Sequence, residues 1–250
     1  MSAIWAACDG ERHICRIGGT FWRMVESQER IATSEIVDSL EEQAALEEML
    51  EASKPPLPAP STARHYLLST PFRYPPLPHG SRFGRRFEPS LFYGALGQRS
   101  MLAEAAFYRF LFWFGMASPP PNPITSQHTS FTARYRTERG LRLQLPPFDA
   151  YRAQLIDPSD YRATQALGSA MRAAGVEAFE YVSARDREHG LNVALFTPRA
   201  LASQRPTRME RWLCRTGADR VQFLKDSDRE VYDFPLEAFL VAGRLPLAAA

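Results

Sequence analysis

The chain reads as an α+β fold with a largely antiparallel sheet, and three observations predict it. Apolar strand-like segments arrive in runs, at 176–183, 191–196, about 211–216 and 221–225, without helices alternating regularly between them. Residues 130–145 alternate Phe131, Ala133 and Tyr135, pass Glu138, Arg139 and Gly140, and alternate again through Leu141, Leu143 and Leu145, the pattern of a hairpin. Neither a G-x-G-x-x-G after a strand nor a G-x-x-x-x-G-K-[ST] loop occurs, so ATPase and doubly wound nucleotide folds lack their signatures.

The start, MSAIWAACDGERHICRIGG, has no basic segment followed by a sustained apolar one, so no signal peptide is expected. From Ile31 to Ser53, Ile36, Val37, Leu40, Ala44, Leu46, Met49 and Leu50 recur mostly at helical spacing among acids, predicting one or two amphipathic helices. Thr33 or Ser34 caps the first, and Ser39 with Glu42 fits a capping box at an internal break. KPPLPAP, Lys54 to Pro60, stops any helix, because proline lacks an amide donor and biases the preceding residue toward extended backbone. A boundary is expected there, with a helical extension and linker at 1–60 and the main domain at 61–250.

Within that domain, Arg64 to Ser69 (RHYLLS) suits a strand, and Pro71 to Phe87 a loop rich in Pro, Gly and Arg. SLFYGA at 90–95 is a short apolar strand, after which Gly97 and Ser100 introduce a helix over 101–116 that ends before the prolines at 119–121. Asp157 or Ser159 caps a helix to Ala174 with Tyr161, Leu167, Ala170 and Met171 on its apolar stripe, and Gly175 stands at the exit.

Composition narrows the class. With 250 residues, 45% hydrophobic and 23% charged, the chain can bury a sizeable core, and disorder is not expected. A formal net charge of +2 is too small to imply a polyanion, so no direct nucleic-acid contact is expected. Cys8, Cys15 and Cys214 are odd in number and lack C-x-x-C spacing, which makes a reducing cytoplasm the expected compartment. The longest apolar run, Ala105 to Ala117, is broken by Arg109 and falls short of the ~20 residues of a membrane span. The histidines at 13, 65, 79, 128 and 189 have no ligand spacing, and no metal is expected.

The chemistry-bearing residues lie mainly between Thr70 and Arg109. Arg73, Arg82, Arg85 and Arg86 offer planar guanidinium forks suited to phosphate oxygens, although such a cluster also suits a solvated face. Glu104 sits in an apolar helical stretch, where an acid is costly unless it is paired or used. The alternatives are a salt bridge, to Arg109 or a loop arginine, and a carboxylate stabilising a ribosyl cation. Tyr93 is a core aromatic or a stacking platform for an aromatic base. Ser183 in YVSAR has no neighbouring acid or base and no G-x-S-x-G setting, so it reads as a strand-end or substrate-positioning hydroxyl and not a nucleophile.

In order, these segments resemble the RES-domain family, whose name stands for its Arg, Glu and Ser. The resemblance covers roughly Leu67 to Leu201: GSRF at 80–83 corresponds to the arginine loop, FYGA at 92–95 to the tyrosine strand, and Ala103-Glu104 to the acid. YVSAR at 181–185 and NVALF at 192–196 correspond to the serine strand and its successor. The common arginine loop continues with Asn-Pro, whereas here FGRRFEPS follows Arg82, so the arginine alignment is loose by a residue or two. The resemblance implies an ADP-ribosyltransferase-like fold and the toxin half of an Xre-RES toxin–antitoxin pair. It also implies cleavage of the nicotinamide–ribosyl bond of NAD by hydrolysis, phosphorolysis or ADP-ribosyl transfer to a protein. Glu104, Tyr93, Arg82 and Ser183 are then the catalytic candidates, and Arg73, Tyr74, Arg85 and Arg86 join Arg82, Tyr93 and Ser183 as NAD-binding candidates. NAD is the substrate, an Xre-like antitoxin the expected partner, and the acceptor and oligomeric state stay open. A protein that binds NAD or a partner without turnover, docking through its N-terminal helices, is the alternative.

Overall fold

The computed structural model describes residues 2–27, 37–56, 64–227 and 229–246. The expected helix start at 31–36, with its caps Thr33 or Ser34, and the proline segment at 57–60 lie outside them.

A short helix α1 (Ala3–Ala7), capped by Ser2 Oγ accepting from the Trp5 amide, leads into strand β1 (Cys15–Glu26). Helix α2 (Leu40–Ser53) and helix α3 (Tyr66–Arg73) precede strand β2 (Phe92–Ala95) and the long helix α4 (Gln98–Gly115). Strand β3 (Ile124–Arg142) is followed by helices α5 (Arg152–Leu155) and α6 (Arg162–Ala173). Strands β4 (Ala178–Val182), β5 (Leu191–Leu195), β6 (Arg208–Thr216), β7 (Arg220–Lys225) and β8 (Val231–Pro235) complete the sheet.

The pairings β1–β2, β2–β5, β5–β4, β4–β3 and β3–β1 close a ring, and β6, β7 and β8 extend from β3 as an open antiparallel sheet. Every pairing is antiparallel except β3 with β4, so the fold is mixed helix and sheet with mainly antiparallel strands, as the runs of strands predict. Side chains alternate across the ring strands. Phe92, Val193 and Leu195 join Phe21 and Phe131 in one core that Leu68 and Phe72 of α3 cover. Their neighbours Ala194, Phe179 and Tyr181 enter a second core with Leu167 and Met171 of α6. A third core packs Leu102, Phe107 and Phe110 of α4 onto Trp212, Val221 and Phe223. Fully burying one such phenylalanine contributes ~1.5–3 kcal/mol.

Four expectations need correction. Neither Asp157 nor Ser159 caps α6, which starts at Arg162 after Tyr161 without a side-chain cap, while Asp157 Oδ1 accepts from the Ser159 and Asp160 amides in the preceding turn. Residues 130–145 are not a hairpin: β3 runs through Glu138, Arg139 and Gly140 without turning, because β1 pairs along it from Glu26↔His128 to Cys15↔Gly140. A Cβ on Gly140 would come within 2.3 Å of Ile17 Cγ1, so this glycine serves close strand approach. Residues 64–69 are not a strand. His65 Nδ1 accepts from the Leu67 amide at 3.3 Å to start α3, and Leu68 and Phe72, four apart, bury one helical face despite Pro71. Nor does the chain before residue 60 consist of a helical extension alone, since β1 is a ring strand with Ile17 and Phe21 in the core.

Helix α2 does form as its cap predicts. Ser39 Oγ accepts from the Glu42 amide at 3.1 Å, while Glu42 Oε2 accepts from the Asp38 amide at 3.0 Å. Its Leu40 and Met49 are exposed. No helix among the described residues is long and apolar enough to cross a membrane.

Candidate active site

β1 and β2 pair only at Trp22↔Ala95. Where they part, a cleft of about 440 Å³ opens, within the size range of small-molecule sites. Its wall includes Arg82, Tyr93 and Glu104, which the sequence singles out, and Arg23, Tyr161 and Arg185, which it does not. Three arginines and one carboxylate line it, so the space favours an anion.

Glu104 is carried by α4, two turns in, between the small residues Ala103 and Ala105. Its Oε1 accepts from Ser183 Oγ at 2.6 Å and from Asn192 Nδ2 at 2.7 Å. Those two donors come from the end of β4 and from β5, so the sheet fixes one carboxylate oxygen of a helix residue. The pairing is with neutral donors, and the alternative of a salt bridge to Arg109 is not seen: Arg109 pairs with Glu26 at 3.3 Å and donates to Thr216 Oγ1 at 2.9 Å.

Ser183 is fully buried and does not line the cleft. Its Oγ donates to Glu104 and accepts from the Arg185 and Asp186 amides, both at 3.1 Å, in the local pattern by which serine caps a turn. It is a positioning residue for Glu104. Asp186 is held in turn by Ser100 Oγ at 2.6 Å, which ties this turn to the first turn of α4.

Tyr93 projects from β2 with its hydroxyl on Ser81 Oγ at 2.8 Å and on the Phe83 amide at 3.2 Å. Burial pushes that phenol up to about 12, against the pull of those hydrogen bonds and of nearby Arg82, so it stays protonated at neutral pH. Arg82 donates Nη1 to the Asp157 carbonyl at 2.8 Å and Nη2 to the Tyr161 hydroxyl at 3.4 Å, with its guanidinium 4.5 Å from the Tyr161 ring centre. Arg185 donates to the same hydroxyl at 2.7 Å and to the Pro158 carbonyl, and lies 3.6 Å from the Phe107 ring centre. Burial lowers its pKa.

Four binding candidates lie elsewhere. Arg73 pairs with Glu51 at 2.6 Å and donates to the Pro55 carbonyl, so its charge ties α3 to α2. Arg85 and Arg86 are exposed, the latter stacked 4.4 Å from the Phe87 ring centre. Tyr74 is 41% exposed, and its carbonyl accepts from Ser90 Oγ. None of these four lines the cleft. Among the described residues no three His, Cys, Asp or Glu side chains are grouped to hold a metal.

The RES-domain family model matches residues 57–216. The chain belongs to the RES-domain family. Arg82, Tyr93, Glu104, Ser183 and Asn192 all fall within the match, whereas Arg23 precedes it. Among solved structures, the chain is similar to one in the M. tuberculosis MbcT–MbcA toxin–antitoxin complex, with 12% identity, a TM-score of 0.49, and coverage of 82% of this chain and 90% of that one. Comparison with curated proteins finds no match. Asn192 and Arg185, which are not among the sequence candidates, stand inside the NVALF and YVSAR segments, and only their partners reveal their roles.

Proposed function

We propose that this RES-domain protein cleaves the nicotinamide–ribosyl bond of NAD and acts as the toxin of a toxin–antitoxin pair whose partner is an Xre-like antitoxin. The observation that carries this reading is Glu104, held through one oxygen by Ser183 and Asn192 and facing a cleft shared with Arg82 and Tyr93. Among the described residues that line the cleft, Glu104 is the one carboxylate, and it stands ready for a cation forming in that space.

In the reaction, the bond between the ribose C1′ and the nicotinamide nitrogen breaks, and its electron pair leaves with nicotinamide, which departs neutral. The ribose carries the positive charge as an oxocarbenium ion, which Glu104 stabilises electrostatically. Water, phosphate or a protein side chain then bonds to C1′, and a water acceptor releases one proton and gives ADP-ribose. Tyr93 offers its ring as a platform beside the leaving base, and the arginines offset the pyrophosphate charge.

The test is purified protein with NAD in water, with phosphate added, and with candidate acceptor proteins. Nicotinamide should appear as NAD disappears. NAD that binds but stays intact under all three conditions would replace this reading with a pocket that binds without turnover.

A further inference from the structure

Four tyrosines line the cleft, and the protein engages the hydroxyls of three. Tyr93 meets Ser81 Oγ and the Phe83 amide, Tyr161 receives Arg82 and Arg185, and Tyr181 bonds to the Asn192 side chain. Tyr108 differs: its ring lies edge-on to Phe107, 5.6 Å between centres, and its hydroxyl makes no hydrogen bond among the described residues. It is also the tyrosine that solvent reaches, 58% exposed against 6% for Tyr161 and 5% for Tyr181.

Tyr108 stands one turn beyond Glu104 on α4. Side chains four apart on a helix share a face, with about 5–6 Å between their Cβ atoms. Glu104 commits Oε1 to Ser183 and Asn192, and its second oxygen has no hydrogen bond among the described residues. A carboxylate oxygen and a phenol hydroxyl, both without a protein partner among those residues, therefore border the same space. The enclosing walls, and then the Glu104 charge, raise the phenol pKa, so at neutral pH the hydroxyl is protonated and can both donate and accept. A water molecule satisfies the two together, accepting from Tyr108 and donating to Glu104.

We propose that Tyr108 is the acceptor-positioning residue of the cleft, holding a water molecule on the Glu104 side so that the nicotinamide–ribosyl bond is cleaved by hydrolysis. This inference rests on the NAD-cleaving reading of the site. The water oxygen bonds to the ribose C1′, the electron pair of the C1′–nitrogen bond leaves with neutral nicotinamide, and one water proton passes to solvent. A neutral nucleophile suits the position, because the Glu104 carboxylate repels a phosphate anion there.

The experiment compares the full chain with Y108F, which removes the hydroxyl and keeps the ring, in NAD cleavage run in water containing methanol. The ratio of the methyl glycoside of ADP-ribose to ADP-ribose itself reports how strongly water is selected, and a merely structural tyrosine would not move it. Nicotinamide release, ADP-ribose affinity and melting temperature are read in parallel. One neutral hydrogen bond corresponds to roughly two- to tenfold. In Y108F the hydrolytic kcat should fall by about that factor and the methanol share should rise at least about twofold, while ADP-ribose affinity and melting temperature stay with the wild type. Unchanged kcat and product ratio in Y108F, with a wild type that cleaves NAD, overturn the assignment and leave the function standing. A parallel loss of ADP-ribose affinity also overturns it, because the hydroxyl would then hold the ribose itself. Cleavage by the wild type that requires phosphate or a protein acceptor overturns it too. A wild type that releases no nicotinamide under any of these conditions removes the proposed function and the acceptor role together. Should Y108F fail to fold, a crystal structure of the wild type with ADP-ribose decides: an ordered water bonded to both Tyr108 and Glu104 supports the inference, and a Tyr108 hydroxyl without that water overturns it.

Discussion

Replacing Ser183 with alanine removes an oxygen that is bonded on three sides. The Arg185 and Asp186 amides lose their acceptor inside a turn whose serine is fully buried, and Glu104 loses one of the two donors on Oε1. Each buried amide left without a partner costs ~1–3 kcal/mol, and the bond to a charged carboxylate contributes ~1.5–3 kcal/mol. Glu104 is half-buried, so water recovers part of the last contribution, and the turn relaxes somewhat. A net loss of roughly 2–5 kcal/mol follows. For a chain of this length it lowers the melting temperature by about 5–15 °C. Thermal unfolding by circular dichroism measures this, alongside NAD turnover and ADP-ribose binding. NAD turnover should fall with the loss of Glu104 orientation, whereas ADP-ribose affinity should change little, because Ser183 does not line the cleft. A Ser183→Ala protein that melts with the wild type yet loses ligand affinity would refute the positioning role and make Ser183 a ligand contact.

Glu104→Gln keeps shape while removing the negative charge, and its turnover should fall on the order of 10²–10³ with NAD binding retained; an unchanged rate in the folded variant excludes the electrostatic role. A chain starting at residue 61 should fail to fold cooperatively, because it lacks the ring strand that carries Ile17 and Phe21; a folded, NAD-cleaving fragment would show that β1 is dispensable. His128 is buried against Phe223 with Nε2 on Ser126 Oγ, and burial, then the Arg109 charge, lowers its pKa from 6.5 to about 4. Between those values the unfolded chain protonates and the folded one does not, so stability should fall as the pH drops from 6.5 toward 4, by up to about 3 kcal/mol, and level off below. Denaturant unfolding against pH reads this, and His128→Gln should flatten the slope in that window.

Much of the fold was legible because burial and spacing agreed. β4, β5, β6 and β7 fall within a few residues of their expected positions, and α4 and α6 follow their apolar stripes. What sequence spacing misread was governed by partners distant in the chain. Gly140 looks like a turn residue until Ile17 is seen against it, and RHYLLS looks extended until Leu68 and Phe72 are seen in one core. β1 carries Gly18 and Gly19 and a register shift after Cys15, which blur its period of two. In the site, Arg82, Tyr93 and Glu104 were legible as motif residues. Arg73 was not separable from them, because Glu51, the acid that engages it, precedes the proline segment. Arg185, Tyr161 and Asn192 could be recognised only through the groups they hold.

The cleft draws its wall from residues as far apart as Trp22 and Asn192, and β1 finds its long partner only when Trp22 meets Thr132. On a ribosome, the first strand therefore emerges well before the strand that receives it. No truncated nascent chain ending before β5 holds Asn192 against Glu104, so the cleft cannot be complete in partial products. Such long-range pairing is slow compared with local helix formation, and whatever chemistry the cleft performs switches on only after synthesis has passed the sheet's central strands.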